Sequence, residues 1–205
     1  MNFANYFSKQ AVDSKLAGLV ETAISQGTAA KLIPANGICA QDDLAKHCQK
    51  PKCENYGTSM SCPPHVAGPA AFRQLLKQYS KALVFKLEVP TDILFTDDRK
   101  QVFQLLHEIA AKIETDAIDT GFKKARAYAG GSCKKIFCHD QRDCLGIAAK
   151  ETCRHPGQAR PSMSGFGINV AKLIEAAEWP KEEMPGENKS PASKISGLYG
   201  LVLID

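Results

Sequence analysis

The chain carries eight cysteines, Cys39, Cys48, Cys53, Cys62, Cys133, Cys138, Cys144 and Cys153, and they fall into two groups. The first reads C-x8-C-x4-C-x8-C over residues 39–62, the second C-x4-C-x5-C-x8-C over residues 133–153. Each group offers four soft donors within one short segment. Four thiolates satisfy either a tetrahedral zinc ion or a cubane iron–sulfur cluster. An even count also suits disulfides, but in a reducing compartment clustered cysteines bind metal or do redox chemistry instead.

Spacing bears on the choice of metal. Structural zinc sites usually hold a tight C-x2-C or C-x4-C knuckle. No C-x2-C occurs here, and the closest pairs are Cys48 with Cys53 and Cys133 with Cys138. A cubane presents its irons at separated corners, so longer loops between ligands cost little. The Cys62-Pro63 step is similar to the cysteine–proline step that closes ferredoxin ligand runs. Pro63 and Pro64 have fixed φ and no N–H, which stiffens and dries one wall of a site. Two [4Fe–4S] clusters, one per group, are the expected cofactors, with two zinc ions as the alternative.

Other residues near the cysteines have weaker claims. His47, His65, His139 and His155 each lie within a few residues of a cysteine, but four thiolates per group leave no need for them as ligands. Gly130 and Gly131 precede Cys133; they either let the backbone approach a cluster or make a plain strand-to-loop turn. Lys134, Lys135, Arg142, Arg154 and Arg160 surround the second group. They would stabilise an anionic cluster, present a docking patch to an acidic redox partner, or simply form a solvated basic face.

The stretches YGTSMSCPPH and CRHPGQARPSMSGFGINV together resemble a bacterial and archaeal family of cysteine-rich, predicted metal-binding proteins. Members carry a cysteine-rich run closing in Tyr-Gly and then Ser-Cys-Pro-Pro. A later run closes in Cys-Arg-x-Pro-x-x-Ala-Arg-Pro-Ser-Met and Gly-Ile-Asp-Val. The resemblance extends from about Cys39 to Val170. It implies metal binding by the eight cysteines, as iron–sulfur, and it supplies no reaction. Ser164 stands where an acidic residue is common, and Asn169 where Asp is common.

Regular elements must position these segments. Residues 10–26 carry a helical stripe of Val12, Leu16, Leu19, Val20, Ala23 and Ile24, with Gly27 as a stop. Residues 30–34 read as a short strand, residues 69–80 as a helix with Pro69 in its first turn, and residues 81–89 as the clearest strand. A long helix follows over about residues 98–119, capped by Thr96 or Asp97 and closed by Gly121. Residues 123–129 form a strand that delivers the chain to GGSC. A helix over residues 168–178 has Val170, Leu173, Ile174 and Ala177 inward, and Met163 and Phe166 before it are packing residues. Residues 181–196 read as a charged surface loop, and GLYGLVLI as a strand completing the sheet. The order predicts a single α+β domain over residues 1–205. In it a small sheet, with helices on one face, carries two cysteine-rich metal-binding loops; a ferredoxin-like sandwich fits this order.

With 44% hydrophobic residues the chain can bury an ordinary core without metal staples. There is no secretory pattern and no apolar run of membrane-spanning length, so a cytoplasmic protein is expected. A formal charge of +4 gives no reason to expect nucleic acid. No phosphate-binding loop, dinucleotide fingerprint or zinc-protease motif occurs. The expected function is therefore electron transfer by a non-enzymatic iron–sulfur carrier serving a redox partner. A zinc-stapled interaction module, or a cluster-dependent enzyme or enzyme activator with an open iron site, remains as an alternative.

Overall fold

In the strand Lys81–Pro90 (β2) residues of both parities are apolar. Leu83, Phe85, Leu87 and Val89 point one way, Ala82 and Val84 the other, and all six are buried. The strand Ile195–Ile204 (β4) likewise ends in a continuous buried run from Tyr199 to Ile204. A strand with no polar face has to be covered on both sides. Helices accordingly pack on both faces of the sheet, where the sequence reading places them on one.

The computed structural model describes residues 3–180 and 195–205, with side chains from residue 9 onward. Four strands form one sheet in the order β1-β2-β4-β3, with β1 at Ala29–Pro34 and β3 at Arg126–Tyr128. Every neighbouring pair is antiparallel, with Leu32 opposite Leu83, Val84 opposite Leu201, and Ala127 opposite Val202. β2 and β3 therefore run parallel on either side of β4, and the long helix Arg99–Thr120 (α4) joins them. This is a split β-α-β unit, the building block of ferredoxin-like sandwiches.

One face is covered by α4 and the N-terminal helix Phe3–Ser25 (α1), whose Leu16, Leu19 and Ala23 meet Leu106, Ile109 and Ile113 over Phe85 and Val202. Val12 and Ile24, expected on the same stripe, are exposed. The helix Gly68–Leu76 (α3), the helix Val170–Ala176 (α7) and the turn Met163–Phe166 cover the other face. There the rings of Phe72, Tyr128 and Phe166 pack mutually at 5.2–5.4 Å over Val84, Leu201 and Leu203. Full burial of each such side chain is worth about 1.5–3 kcal/mol. Met163 and Phe166 thus act as the packing residues expected.

The cysteine segments contain only short helices: Asp42–Ala45 (α2) in the first, Cys133–Phe137 (α5) and Leu145–Ala148 (α6) in the second. Gly121 ends α4 with φ +119°, as expected, but neither Thr96 nor Asp97 caps it. The Thr96 hydroxyl donates instead to the Ile93 carbonyl, closing a 3-10 turn before the helix. Of the loop expected over residues 181–196, residues 181–194 lie outside the described residues, while Ile195 and Ser196 already belong to β4 opposite Pro90 and Val89.

Gly200 sits opposite Phe85, and a Cβ built there would lie 2.1 Å from the Phe85 ring, which is fully buried. The ring occupies the space a side chain would take. Gly200→Ala is therefore expected to cost about 2–3 kcal/mol through overpacking, read as a lower urea midpoint.

Candidate metal centre

All eight cysteines carry free thiols. Cys62, Cys133 and Cys138 are buried, Cys39, Cys48, Cys53 and Cys144 half-buried, and Cys153 exposed. The gradient follows the fold. Cys62 and Cys133 lie where the two segments meet, beside residues 159–163 (ARPSM), a strap whose Ser162 N–H donates to the Ser61 carbonyl, and Cys153 lies in the loop leading away from α6.

Local turns set the first segment. The 3-10 turn Lys46–Cys48 places Cys48, the Cys53 N–H donates to the Gln49 carbonyl (3.0 Å), and the Cys62 N–H to the Ser59 carbonyl (3.1 Å). Burial pushes the Cys48 thiol up to about 11, and the neighbouring Cys53 and Cys62 add to the rise. Cys39 is placed by different contacts. Its carbonyl accepts from Asn169 N–H (2.8 Å), and Ala40 makes an isolated bridge with Ile168. Asn169 caps α7 by accepting from Lys172 N–H (3.1 Å), and its amide donates to Gln41 (2.8 Å). At this position Asn supplies both contacts.

In the second segment Cys133 opens α5 and Cys138 ends it. Burial pushes both thiols up. The Ser61 hydroxyl works against this at Cys133, donating to Sγ at 3.0 Å, while the Arg154 charge does so at Cys138. The Cys153 thiol accepts from His155 N–H (3.3 Å).

The two segments are not separate in space. The Cys62 thiol donates to the Ser132 hydroxyl (3.5 Å) while Ser61 donates to Cys133, so each cysteine contacts the serine preceding the other. Ser59 lies 3.0 Å from the Ser61 hydroxyl, and the Ser61 carbonyl accepts from Ser162 N–H (3.1 Å). The Lys135–Glu54 ion pair ties the segments again at the surface. Sequence reasoning passes over Ser59, Ser61 and Ser132. Their only signal is the repeated Ser-Cys step in TSMSC and GGSC.

His107 is the other residue the sequence hides. It is fully buried on α4, accepts from Arg160 N–H at Nδ1 (3.0 Å), and donates from Nε2 to the Gly130 carbonyl (2.9 Å). An amide can only donate and a carbonyl only accept, which fixes the neutral tautomer protonated at Nε2. Burial lowers its pKa to about 4, the Gly130 hydrogen bond opposes this, and the Arg160 charge adds to it. Gly130 and Gly131 thus make a packed turn: a Cβ built at Gly130 would meet Phe103 at 3.4 Å and Leu106 at 3.5 Å, and Gly131 has φ +87°.

Of the basic residues expected around the second group, Arg160 is internal. Its Nε lies 2.7 Å from Glu114 Oε2, an ionic contact whose N–H points away from the carboxylate, and its Nη1 donates to the carbonyls of Pro156 and Ala159. Lys134 donates to the carbonyls of Cys138 and Gln141, closing the loop between them. Arg154 donates to the Asp143 carbonyl (2.8 Å), and Arg142 is almost fully exposed. Of the histidines, His155 stacks on Phe137 at 5.3 Å.

A cleft of about 1060 Å³ opens beside the second segment, lined by Phe103, Ile136 and Phe137 together with Lys100, Lys135, His139 and His155. A smaller one of about 600 Å³ shares Glu54, Lys135 and His139 with it and reaches Cys144.

The donor set fits a thiophilic metal: eight soft, unpaired sulfurs, three of them buried. Among the described residues no three Cys, His, Asp or Glu side chains stand close enough to hold an ion as placed. Two of the thiols meet serine hydroxyls, Cys62 donating to Ser132 and Cys133 accepting from Ser61, and a thiol becomes a metal ligand by giving up its proton.

Among the described residues no helix is long and apolar enough to cross a membrane. No curated protein and no solved structure matches the chain. A family of proteins described as predicted metal-binding does match, over residues 31–204, a span that holds both cysteine segments and all four strands but the first two residues of β1. The chain belongs to that predicted metal-binding protein family, DUF2284.

Proposed function

We propose that the protein is an iron–sulfur electron carrier of the cytoplasm, holding [4Fe–4S] clusters on Cys39, Cys48, Cys53, Cys62, Cys133, Cys138, Cys144 and Cys153. The observation that carries this reading is the set of eight free thiols graded from buried Cys62 and Cys133 to exposed Cys153. A buried sulfur shields a cluster from water, and an exposed one brings its edge to the surface where a partner can collect an electron. When bound, the cluster supplies one-electron chemistry. The chain's own residues supply the rest. The Ser61 hydroxyl donates to the Cys133 sulfur, the Ser132 hydroxyl meets the Cys62 thiol and can turn to donate to its anion, Pro63 and Pro64 dry one wall, and Arg154 places positive charge beside Cys138. Exposed Arg142 is the basic side chain of this group best placed to meet an acidic redox partner, since Lys134 is held by the Cys138 and Gln141 carbonyls and Lys135 by Glu54.

A second reading rests on the 1060 Å³ cleft. A cluster-dependent enzyme, or an activator of one, would take a small molecule there beside an open iron site.

Anaerobically reconstituted protein is expected to be brown, with about eight iron and eight sulfide per chain if two cubanes form. Colourless protein holding two zinc ions would make it a structural module instead. The paramagnetic signal of the reduced protein should not respond to added small anions if it is a carrier; a ligand-dependent signal would favour the cleft reading.

A further inference from the structure

Cys62 closes the first cysteine segment and Cys133 opens the second, yet the fold brings them to one buried spot. Ser61, Cys62, Ser132 and Cys133 are each less than a tenth exposed. The Ser61 hydroxyl lies 3.0 Å from Cys133 Sγ and 3.9 Å from Cys62 Sγ. Laid end to end, those two legs put the sulfurs no more than 6.9 Å apart. Two corners of one cubane lie within that limit, and so does the edge of a zinc tetrahedron, about 3.8 Å from the Zn–S bond length, so both sulfurs can reach a single centre.

The surroundings favour a ligand role over packing. Thiols are weak hydrogen-bond partners, so the contact to Cys133 returns little of the cost of burying the Ser61 hydroxyl, whose other neighbour is the Ser59 hydroxyl at 3.0 Å. Two such serine–thiol contacts, arranged reciprocally, are a poor way to stabilise a core. They are a good way to receive two sulfur anions, since a hydroxyl that now accepts from Cys62 can turn and donate to it. Ser59 continues the donor chain behind Ser61.

We propose that Cys62 and Cys133 ligate the same metal centre, so that ligand sets are drawn across the two cysteine segments instead of one from each. The inference rests on the metal-binding reading above and changes its partition. The four-plus-four reading of the sequence, with a self-contained quartet in each segment, gives way to a centre that staples residues 39–62 to residues 133–153.

The test uses the full chain carrying Cys62→Ala, Cys133→Ala or both, reconstituted anaerobically with ferrous iron and sulfide. With a shared centre, the single variants lose equal amounts of iron and sulfide, and the double variant loses no more than either. If the double loses the sum of the single losses, or either single variant keeps wild-type metal, the proposal fails. Ser61→Ala and Ser132→Ala keep every ligand and guard against alanine variants that do not fold. Each removes a donor to sulfur, so both should lower the reduction potential of one and the same centre in a redox titration followed by electron paramagnetic resonance. Serine variants that move two different centres, or move none, overturn the proposal. Failure of the iron reading looks different: wild-type protein then takes up zinc and no iron, and the zinc content of the same cysteine variants decides the sharing by the same comparison.

Discussion

His107→Phe is expected to lose about 3 kcal/mol of stability at pH 7.5, and the loss is expected to shrink as the solution is acidified. The replacement keeps an aromatic ring on α4, where the imidazole now meets Phe137 edge-on at 5.7 Å. It leaves the Arg160 N–H and the Gly130 carbonyl buried without partners, at about 1–3 kcal/mol each. The pH dependence follows from the lowered pKa of the native histidine, about 4 against an ordinary 6.5. At pH 7.5 the side chain is neutral in both folded and unfolded chains, and its contribution is fully present. As pH falls through 6.5 the unfolded chain takes up a proton that the folded chain refuses until about pH 4, so stability is lost across that window. At pH 5.5 one proton's worth of linkage, about 1.4 kcal/mol, has gone from wild type and nothing from the variant. Urea melts of both proteins at pH 7.5 and 5.5, with thiols kept reduced, measure the difference directly. A gap between wild type and variant that stays constant over this range would show that His107 is protonated in the fold.

His107 matters to the site because of what it joins. It ties α4 to the glycine turn that delivers Cys133 and to the ARPSM strap that holds Ser61. Loss of this bridge should loosen both walls of the buried cysteine pair, so the variant is also expected to hold its metal less tightly.

Gly167→Ala is expected to cost about 3–4 kcal/mol, roughly 6–16 °C in Tm for a chain of this size. Gly167 has φ +66°, where an L-residue is strained by about 1 kcal/mol or more. A Cβ there would lie 2.1 Å from the Gln41 carbonyl oxygen, and 3.0 Å from both its carbon and Pro69. The backbone cannot retreat, because Gln41 N–H donates to the Gly167 carbonyl and Asn169 N–H to the Cys39 carbonyl, both at 2.8 Å. These two bonds clamp the first cysteine segment to the strap preceding α7. Gly157→Ala is the control: no atom lies within 4 Å of a Cβ built there, and its Tm should move by no more than a degree or two. Equal melting of the two variants would show that the strap yields to the clash.

Much of the architecture was written locally. Leu83, Phe85 and Leu87 with Val84 between them mark β2, and the run of Val102, Leu105, Leu106, Ile109, Ile113 and Ala117 marks α4, because side-chain periodicity reports which face meets apolar surface; of that run Leu105 alone is exposed. Gly121 stops α4 because only glycine takes its left-handed φ cheaply. The cysteines stood out for the same kind of reason, since their type and clustering are properties of the chain alone.

Other features required the folded chain. Thr96 fits a cap by type, yet its hydroxyl turns to Ile93 because a 3-10 turn precedes the helix. Arg160 reads as one of a basic set, but the fold buries it against Glu114. His107 has no neighbour in sequence that betrays its role, since its partners Gly130 and Arg160 lie far along the chain.

The sequence by itself determined the α+β elements and eight soft donors in two segments, since periodicity and residue chemistry are local. Only the tertiary structure decided that the sheet is covered on both faces and that Cys62 lies beside Cys133. Both depend on contacts between distant segments, and such contacts are chosen by how the whole core closes, not by any one stretch of residues.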